Sequence, residues 1–214
     1  MVRIILVRHG ETQWNIEGRY QGREDTHLSE RGLKQGQLLA RGLKDVHIDA
    51  FISSPLERAF MTASFCAELH GENVQKDPRL TEIDHGDWEG RLAGEIEAAY
   101  PREFAAWHTA PHTVQMPGAG GESLADVCAR ARAAFDDYAT RWAGKTVLAA
   151  AHDAVNKAII CDLLGMSQKC FWQIKQDNAC INVLEEKNGL WRLVLLNSTN
   201  HLGYLFSGIE QKGL

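Results

Sequence analysis

Short apolar runs, each followed by a helix-like stretch, constrain the fold of this chain more than any other feature. Residues 2–7 and 50–53 have the length and composition of buried strands, and residues 146–151 are apolar or small after Thr146. Strands that are covered by helices on both faces have this continuous apolar pattern. Because strand and helix signals alternate, we expect a three-layer α/β/α sandwich with a mainly parallel sheet.

The starts of the helices are marked by residues that favour these positions. Ser29 and Ser123 precede amphipathic stretches, and their hydroxyl groups can accept a hydrogen bond from the first helical turn. Pro55 suits the first turn of a helix over residues 56–69, because its missing N–H has no partner there in any case.

The carboxyl-terminal part predicts an antiparallel edge strand for this sheet. Residues 179–185 and 190–197 are strand-like and are separated by a short polar turn, as in a hairpin. Residues 84–121 contain glycines and prolines that interrupt regular structure, and we expect them to form a cap-like excursion over the functional site. No repeat or composition shift marks a second domain, so residues 1–214 are predicted to form one domain.

Charge and composition limit the partners of the chain. A net charge of -5 gives no basic face for nucleic acid, so an anionic substrate must meet a local cluster of cations. No apolar segment approaches the ~20 residues that cross a bilayer, and the first residues do not resemble a signal peptide. The five cysteines lack CxxC spacing, which argues against a disulfide framework and favours a reducing, cytoplasmic setting.

Charged side chains follow three of the predicted strands. Arg8 and His9 follow the first, Arg58 lies early in the helix after the second, and His152 ends the third. Ligands of open α/β sheets bind just beyond the carboxyl ends of strands. Guanidinium groups match phosphate oxygens, and a histidine can act as a base, a ligand or a nucleophile. The pattern predicts a phosphate site with a built-in nucleophile.

Residues 80–90 supply a candidate general acid. Glu82 lies between apolar residues and is placed for burial, which raises the pKa of a carboxyl group as a general acid requires. The other carboxylates of this segment are typical of a solvated loop: Asp84, Asp87 and Glu89.

Each candidate also has a plain structural explanation. His9 can be an ordinary loop residue, Arg58 a surface residue of its helix, and His152 a buried histidine with satisfied hydrogen bonds. The functional interpretation gains weight because the same situation recurs at three strand ends.

At these motifs the chain resembles the histidine phosphatase superfamily, in its phosphoglycerate-mutase-like branch. The matching segments follow one another at suitable distances: LVRHGETQWN at 6–15, SSPLERAFMTA at 53–63, LTEIDHGDWEG at 80–90, GGES at 120–123 and AAAHDAVNKAI at 149–159. The resemblance implies the phosphoglycerate-mutase-like fold.

The resemblance also implies roles for the candidate residues. His9 is then the nucleophile that becomes phosphorylated, while Arg8, Arg58 and His152 surround the transferring phosphoryl group. Glu82 is the proton donor and acceptor. This chemistry requires no metal ion and no other cofactor.

Further positions match contacts of the family. Asn15 corresponds to a position that helps to bind phosphate, and Gln21 and Gly22 lie where the family contacts the substrate. One position departs from the family pattern, because Asp153 follows the second histidine where most members have glycine. An acidic side chain beside a phosphate would repel it unless the side chain is turned away.

Within the superfamily, the chain is similar to metal-independent phosphoserine phosphatases. In such proteins the residues corresponding to His85 and to the tail around His201 help to enclose the amino-acid part of the substrate; His201 can also be a plain surface residue. The shared segments are EIDHG at 82–86, FW at 171–172, DNA at 177–179 and NHLG at 200–203. The resemblance therefore implies a phosphatase for a small phosphomonoester, with phosphoserine as the first candidate.

Several alternatives stay open. Cofactor-dependent phosphoglycerate mutases share the pocket, but they are typically longer and carry a tyrosine-containing motif after the acid glutamate. Sugar-phosphate and broad-specificity phosphatases also carry the DWEG motif found at 87–90. A metal-dependent hydrolase built on His152 and Asp153 is a rival, although such enzymes are usually all-helical. A phosphate-ligand-binding protein without turnover is another, and the joint presence of His9 and Glu82 argues against it.

The apolar hairpin near the carboxyl terminus is a candidate contact between copies of the chain. Its apolar residues lie at 181–184 and 193–196. We therefore expect a homodimer.

Overall fold

A six-stranded sheet organises residues 1–205, the part of the chain that the computed structural model describes. Residues 206–214, which the single-domain prediction includes, lie outside the described residues. The order of the strands across the sheet is β3-β2-β4-β1-β5-β6. In chain order the strands are β1 (Val2–Arg8), β2 (Ala50–Ser53), β3 (Val74–Lys76), β4 (Thr146–Ala151), β5 (Ile181–Lys187) and β6 (Leu190–Ser198).

The pairing of the strands confirms a mainly parallel sheet with an antiparallel edge. Strands β1, β4, β2 and β3 are parallel neighbours, whereas β5 runs antiparallel to β1 and β6 antiparallel to β5. The predicted hairpin is therefore present. Strand β3 was not predicted from the sequence, because it is short, partly exposed and without an apolar run.

Helices cover both faces of the sheet. The α-helices are α1 (Gln13–Glu17), α2 (Glu30–Leu43), α3 (Glu57–Leu69), α4 (Ala93–Ala99), α5 (Pro101–Thr109), α6 (Leu124–Arg141) and α7 (Asp153–Leu163). Short 3-10 segments lie at Pro78–Leu80, Gly86–Trp88, Pro111–Thr113, Gln168–Gln173 and Asn200–Leu202.

The side chains of β1 alternate between two apolar layers. Ile5 belongs to a buried cluster with Leu39 of α2 and with residues of α3, whereas Ile4 belongs to a second cluster with Phe135 of α6 and Ile159 of α7. Burying both faces stabilises the sheet through the hydrophobic effect. The predicted three-layer α/β/α sandwich is thus confirmed.

The helix starts agree with the sequence at two positions and differ at a third. Ser29 accepts a hydrogen bond from Gly32 N at 3.0 Å, and Ser123 accepts one from the third residue of α6. Pro55 was expected in the first turn of α3, but that helix begins at Glu57. The chain before it stays extended, and the Ser54 hydroxyl accepts the Leu56 N–H at 3.3 Å.

Residues 84–121 pack onto the layer formed by α6 and α7. Trp88 and Trp107 are fully buried, and both belong to the same apolar cluster as Phe135. The segment contains α4 and α5 between its turns. These two indole rings hold it against the rest of the fold.

Two further observations concern membrane-spanning helices and disulfide bonds. Within residues 1–205, no helix combines the length and the apolar composition that crossing a membrane would need. All five cysteines are free thiols.

We predict that the contact between two backbone segments at Gly32 tolerates no side chain. A Cβ atom at Gly32 would lie 2.0 Å from the Glu11 carbonyl oxygen, and neither partner is a flexible side-chain end. Gly32→Ala should therefore destabilise the protein by about 1–3 kcal/mol. Thermal unfolding checks this against Gly94→Ala, which has open space around its Cβ position. The control should be unchanged or more stable by about 0.4–1 kcal/mol. Equal unfolding temperatures for Gly32→Ala and the wild type would contradict the prediction.

Candidate active site

Two neighbouring parallel strands bring the two predicted histidines together. His9 follows β1 and His152 follows β4, and in the register of this pair Arg8 lies opposite Ala151. The centroids of the two imidazole rings are 5.2 Å apart. Both rings are buried, so the end of the sheet forms an enclosed site.

The proton on the His9 ring is fixed by the main chain. His9 Nδ1 lies 2.7 Å from the Gly10 carbonyl oxygen, which can only accept a hydrogen bond, so Nδ1 carries the proton. The other nitrogen, Nε2, is then unprotonated, and its lone pair accepts the Arg58 Nε–H at 3.3 Å. Burial, with the charges of Arg58 and Arg8, holds the pKa of His9 well below its usual range. His9 is therefore neutral and aims Nε2 at the site.

Arg58 is held rigidly beside His9. Its Nη1 donates to the Glu24 carbonyl and its Nη2 to the Gly22 carbonyl, both at 2.8 Å. Burial lowers the pKa of Arg58 to about 10, so the guanidinium stays charged at neutral pH. A guanidinium with five N–H groups can make these bonds and still offer donors to an anion.

Arg8 supplies a second cation on the other side. Its Nη1 donates to the Gln176 carbonyl at 2.6 Å and lies 3.4 Å from the Asp153 carboxylate. Its Nε has no hydrogen-bond partner among the described residues, which leaves this N–H available to a bound oxygen. Lys157 Nζ lies 2.7 Å from Asp153. The acidic side chain that the sequence sets beside the phosphate site thus faces two cations.

His152 is the fourth member of a cluster of Arg8, His9, Arg58 and His152, which we call the cage. Its Nε2 lies 2.8 Å from the hydroxyl oxygen of Ser54, which follows β2. Burial and the Arg58 charge hold the pKa of His152 well below its usual range, so this ring is neutral as well. Three strand ends therefore contribute to one site, as the sequence pattern predicted.

Glu82 lies at the amino end of α7. The carboxylate oxygens accept the main-chain N–H groups of Ala154 at 3.3 Å and Val155 at 3.4 Å. The side chain is buried, and burial together with the negative charge of Asp153 raises the pKa of Glu82. A buried carboxyl group that keeps its proton is suited to general acid catalysis.

The residues predicted to contact substrate surround the loop after β1. Asn15 Oδ1 accepts from Thr12 N at 3.1 Å and from Asn178 Nδ2 at 3.2 Å. Gln21 Oε1 accepts the Thr12 hydroxyl at 2.8 Å. Gly22 joins this group through its carbonyl, which binds Arg58. The structure therefore brings Asn15, Gln21 and Gly22 close to the cage.

His85 lies in an aromatic enclosure on the same side of the sheet as α6 and α7. Its ring contacts Tyr20, Trp88 and Trp107, with centroids 5.1, 6.3 and 5.9 Å away. Burial lowers the pKa of His85 to about 3, so the ring is neutral. Neither ring nitrogen has a hydrogen-bond partner among the described residues. Both nitrogens are therefore buried polar atoms whose hydrogen-bonding capacity these residues leave unused.

His201 is placed differently from the other predicted site residues. Its Nε2 lies 3.0 Å from the Ala179 carbonyl oxygen, and its Cβ faces Gly42 of α2. It connects to the cage through the main chain, since Ala179 N donates to the His9 carbonyl at 3.0 Å. The described contacts thus do not bring the His201 ring into the cage, and its role in substrate binding stays a prediction.

Two site residues were missed in the sequence. Glu89 was expected in a solvated loop, yet its Oε1 accepts the main-chain N–H of Arg23 at 2.8 Å and of His85 at 3.1 Å. Arg130 on α6 donates to the Glu82 carbonyl at 3.1 Å. No local pattern signals either role, because each depends on contacts between segments that are distant in the chain.

The cage can bind and transfer a phosphoryl group. Two buried guanidinium groups can hold its oxygens, and the neutral imidazole nitrogen Nε2 of His9 lies 3.3 Å from Arg58 Nε. Within residues 1–205, no three histidine, cysteine, aspartate or glutamate side chains converge in a way that could hold a metal ion.

Comparisons with known proteins identify relatives of this chain. "Phosphoserine phosphatase 1" of Hydrogenobacter thermophilus is 42% identical over 206 residues, which cover 96% of this chain and 97% of the relative. "Metal-independent phosphoserine phosphatase" of Arabidopsis thaliana is 32% identical, with 98% of this chain and 88% of the relative covered.

A solved structure supports the same relationship. A mutant phosphoserine phosphatase from Entamoeba histolytica, in complex with phosphoserine, superposes with a TM-score of 0.85 at 28% identity and covers 94% of this chain and 100% of that one. The model of the histidine phosphatase superfamily, branch 1, matches residues 4–199. This match spans most of the sequence and includes every residue of the cage, so the chain belongs to the histidine phosphatase superfamily.

Proposed function

We propose that this protein hydrolyses a small phosphomonoester, with phosphoserine as its first candidate substrate, through a phosphohistidine at His9. The observation that carries the proposal is the tautomer of His9, whose unprotonated Nε2 lies 3.3 Å from Arg58 Nε, with the buried guanidinium of Arg8 on the neighbouring residue. That arrangement joins a nucleophile to an oxyanion site. It needs no metal ion for charge stabilisation.

Binding comes first. The dianionic phosphoryl group enters the cage, where Arg8 and Arg58 compensate its charge. Phosphoryl transfer spreads negative charge over the equatorial oxygens, so positioned cations supply most of the stabilisation of the transition state. Burial strengthens these interactions, because water that would screen them is excluded.

Transfer to His9 follows. Nε2 attacks phosphorus, the bond between phosphorus and the ester oxygen breaks, and Glu82 gives its proton to the departing alkoxide. The alcohol leaves, and the phosphohistidine remains with the now ionised Glu82 beside it. The neutral state of His9 and the raised pKa of Glu82 both favour this step at neutral pH.

Hydrolysis restores the enzyme. The Glu82 carboxylate takes a proton from water, the water oxygen attacks phosphorus, and the bond between phosphorus and Nε2 breaks. Inorganic phosphate is released, Glu82 is protonated again, and His9 regains its lone pair. The same carboxyl group acts as acid in one half of the reaction and as base in the other.

Phosphoserine is favoured by the relatives and by the pocket. The relatives with the identities given above carry the name phosphoserine phosphatase. His85 follows Glu82 by three residues in the chain, and its neutral ring, which has no hydrogen-bond partner within residues 1–205, is the group proposed to serve the amino-acid part of such an ester. Asn15, Gln21, Gly22 and, from the tail, His201 are the further substrate contacts of this proposal.

The proposal includes a homodimer and a cytoplasmic location. Strand β6 lies at the sheet edge and exposes Leu190 (70%), Val194 (53%), Leu195 (40%) and Leu196 (41%). An exposed apolar edge strand is a ready template for pairing with a second copy. Sedimentation of the full chain reports on this association. The free thiols of all five cysteines fit a reducing compartment.

Replacing the nucleophile tests the covalent intermediate. His9→Ala should lower turnover by more than about 10³-fold, while vanadate still binds to the cage. Rapid quenching of the wild type with radiolabelled phosphoserine, in the presence of a chelator, should reveal an acid-labile, alkali-stable label on His9. His47→Ala, at an exposed histidine, serves as the control and should behave like the wild type. A label on any other side chain would refute the mechanism.

The pH dependence tests the acid. Attack requires neutral His9, so kcat/KM should rise with pH through the lowered pKa of His9 and fall as Glu82 loses its proton. In single-turnover measurements, Glu82→Gln should remove the basic limb of the pH profile. It should also slow the cleavage of phosphoserine far more than that of p-nitrophenyl phosphate, because the p-nitrophenolate leaving group needs no proton. If both esters slow equally and both limbs persist, Glu82 is not the acid.

A substrate panel tests the specificity. Among phosphoserine, 3-phosphoglycerate, a sugar phosphate and a nucleotide, we expect the highest kcat/KM for phosphoserine. His85→Ala should lower kcat/KM for phosphoserine. It should leave kcat/KM for p-nitrophenyl phosphate nearly unchanged, since that ester has no amino-acid part. Isomerisation of 3-phosphoglycerate on addition of 2,3-bisphosphoglycerate would instead identify a mutase. A preference for the sugar phosphate would remove phosphoserine from the proposal.

A further inference from the structure

Asp153 and Lys157 form a buried ion pair directly behind the phosphate cage. Asp153 is the first residue of α7, and Lys157 lies one turn later on the same face. Lys157 Nζ is 2.7 Å from Asp153 Oδ2, and both side chains are 1% exposed. Burying two charges costs free energy even when they are paired. A role in the adjacent site would explain why the pair is kept.

The pair is connected to the cage through Arg8. The other carboxylate oxygen of Asp153, Oδ1, lies 3.4 Å from Arg8 Nη1 and forms an ion pair with it. The carboxylate therefore bridges the lysine and the arginine. Lys157 is held in turn by two aromatic rings, with Nζ 5.1 Å from the centroid of Phe171 and 4.6 Å from that of Trp172.

The charges around the cage depend on this carboxylate. Among the four side chains Arg8, Arg58, Lys157 and Asp153, three are positive and one is negative, so this group carries a net charge of +2. Two positive charges match the dianion of a phosphomonoester at neutral pH. Without Asp153 the same group of side chains would carry one more positive charge.

The groups around Glu82 show where that charge acts. Asp153 directly precedes Ala154 on α7, whose N–H donates to Glu82 Oε2 at 3.3 Å. The negative charge of Asp153 raises the pKa of Glu82, and the positive charge of Arg58 on α3 lowers it. The other contacts of Glu82 are main-chain N–H groups on its carboxylate and Arg130 of α6 on its carbonyl. Asp153 is thus the negative charge that opposes Arg58 at the proposed acid.

We propose that Asp153 is a positioning residue of the reaction: held by Lys157, it fixes the Arg8 guanidinium in the cage and sets the charge balance at the Glu82 carboxyl group. The proposal rests on the proposed function. It follows that the aspartate is compatible with a phosphate site because its lysine partner is present.

The two members of the pair have opposite expected effects. Removal of the Asp153 charge takes a negative charge away from Glu82 and lowers the pKa of Glu82, so the basic limb of kcat/KM moves to lower pH. Removal of the Lys157 charge raises that pKa and moves the limb to higher pH. A shift of about one pH unit corresponds to a tenfold change in kcat/KM on the alkaline side.

The experiment compares the pH profiles of Asp153→Asn, Lys157→Met and the double variant with phosphoserine. We expect the basic limb to move to lower pH in Asp153→Asn and to higher pH in Lys157→Met. The double variant should have a profile close to that of the wild type. Asp153→Gly, with the residue usual at this position in the family, repeats the first measurement should the asparagine variant unfold. Asp162→Asn on the same helix, whose carboxylate pairs with Arg132, is the matched control and should keep the wild-type limbs.

Two results would overturn the inference. Unshifted limbs in the Asp153 variants, with activity merely lower, would assign the pair to stability alone. A shift of both single variants in the same direction would exclude opposing charges. Either result leaves the proposed function intact when the wild type still forms phosphohistidine at His9, whereas loss of that label would remove the proposed function itself.

Discussion

The hydrogen bond from His9 Nδ1 to the Gly10 carbonyl is the interaction on which the rest of the site depends. It places the proton on the far side of the ring, so Nε2 keeps its lone pair among the cations. With the other tautomer, Arg8 and Arg58 would surround an N–H group and the cage could bind phosphate without reacting. The parallel pairing of β1 with β4 gives this main-chain contact a fixed direction.

Burial serves two opposite purposes in the same small volume. It lowers the pKa of His9 and His152, so these rings stay neutral, and it raises the pKa of Glu82, so the carboxyl group keeps its proton. The positive charges of the site are carried by guanidinium and ammonium groups instead. A single desolvated site thereby holds a nucleophile and an acid in their reactive states at the same pH.

The sequence predicts the fold and the cage because both depend on local signals. A strand-length apolar run followed by Arg8 and His9 can be recognised without knowledge of the rest of the chain. Strand β3 cannot be predicted from the sequence, because it is a strand through its pairing with β2 and not through its composition. The contacts of Glu89 and Arg130 form between distant segments, and the position of His201 beside α2 depends on how the chain returns after β6.

The charge balance of the cage has a consequence for the end of the catalytic cycle. The net charge of +2 on Arg8, Arg58, Lys157 and Asp153 matches an ester dianion, and inorganic phosphate carries nearly the same charge at neutral pH. The released product is therefore held by the same groups that captured the substrate. We therefore expect turnover to fall as the phosphate concentration of the surroundings rises, because product and substrate are held by the same charges.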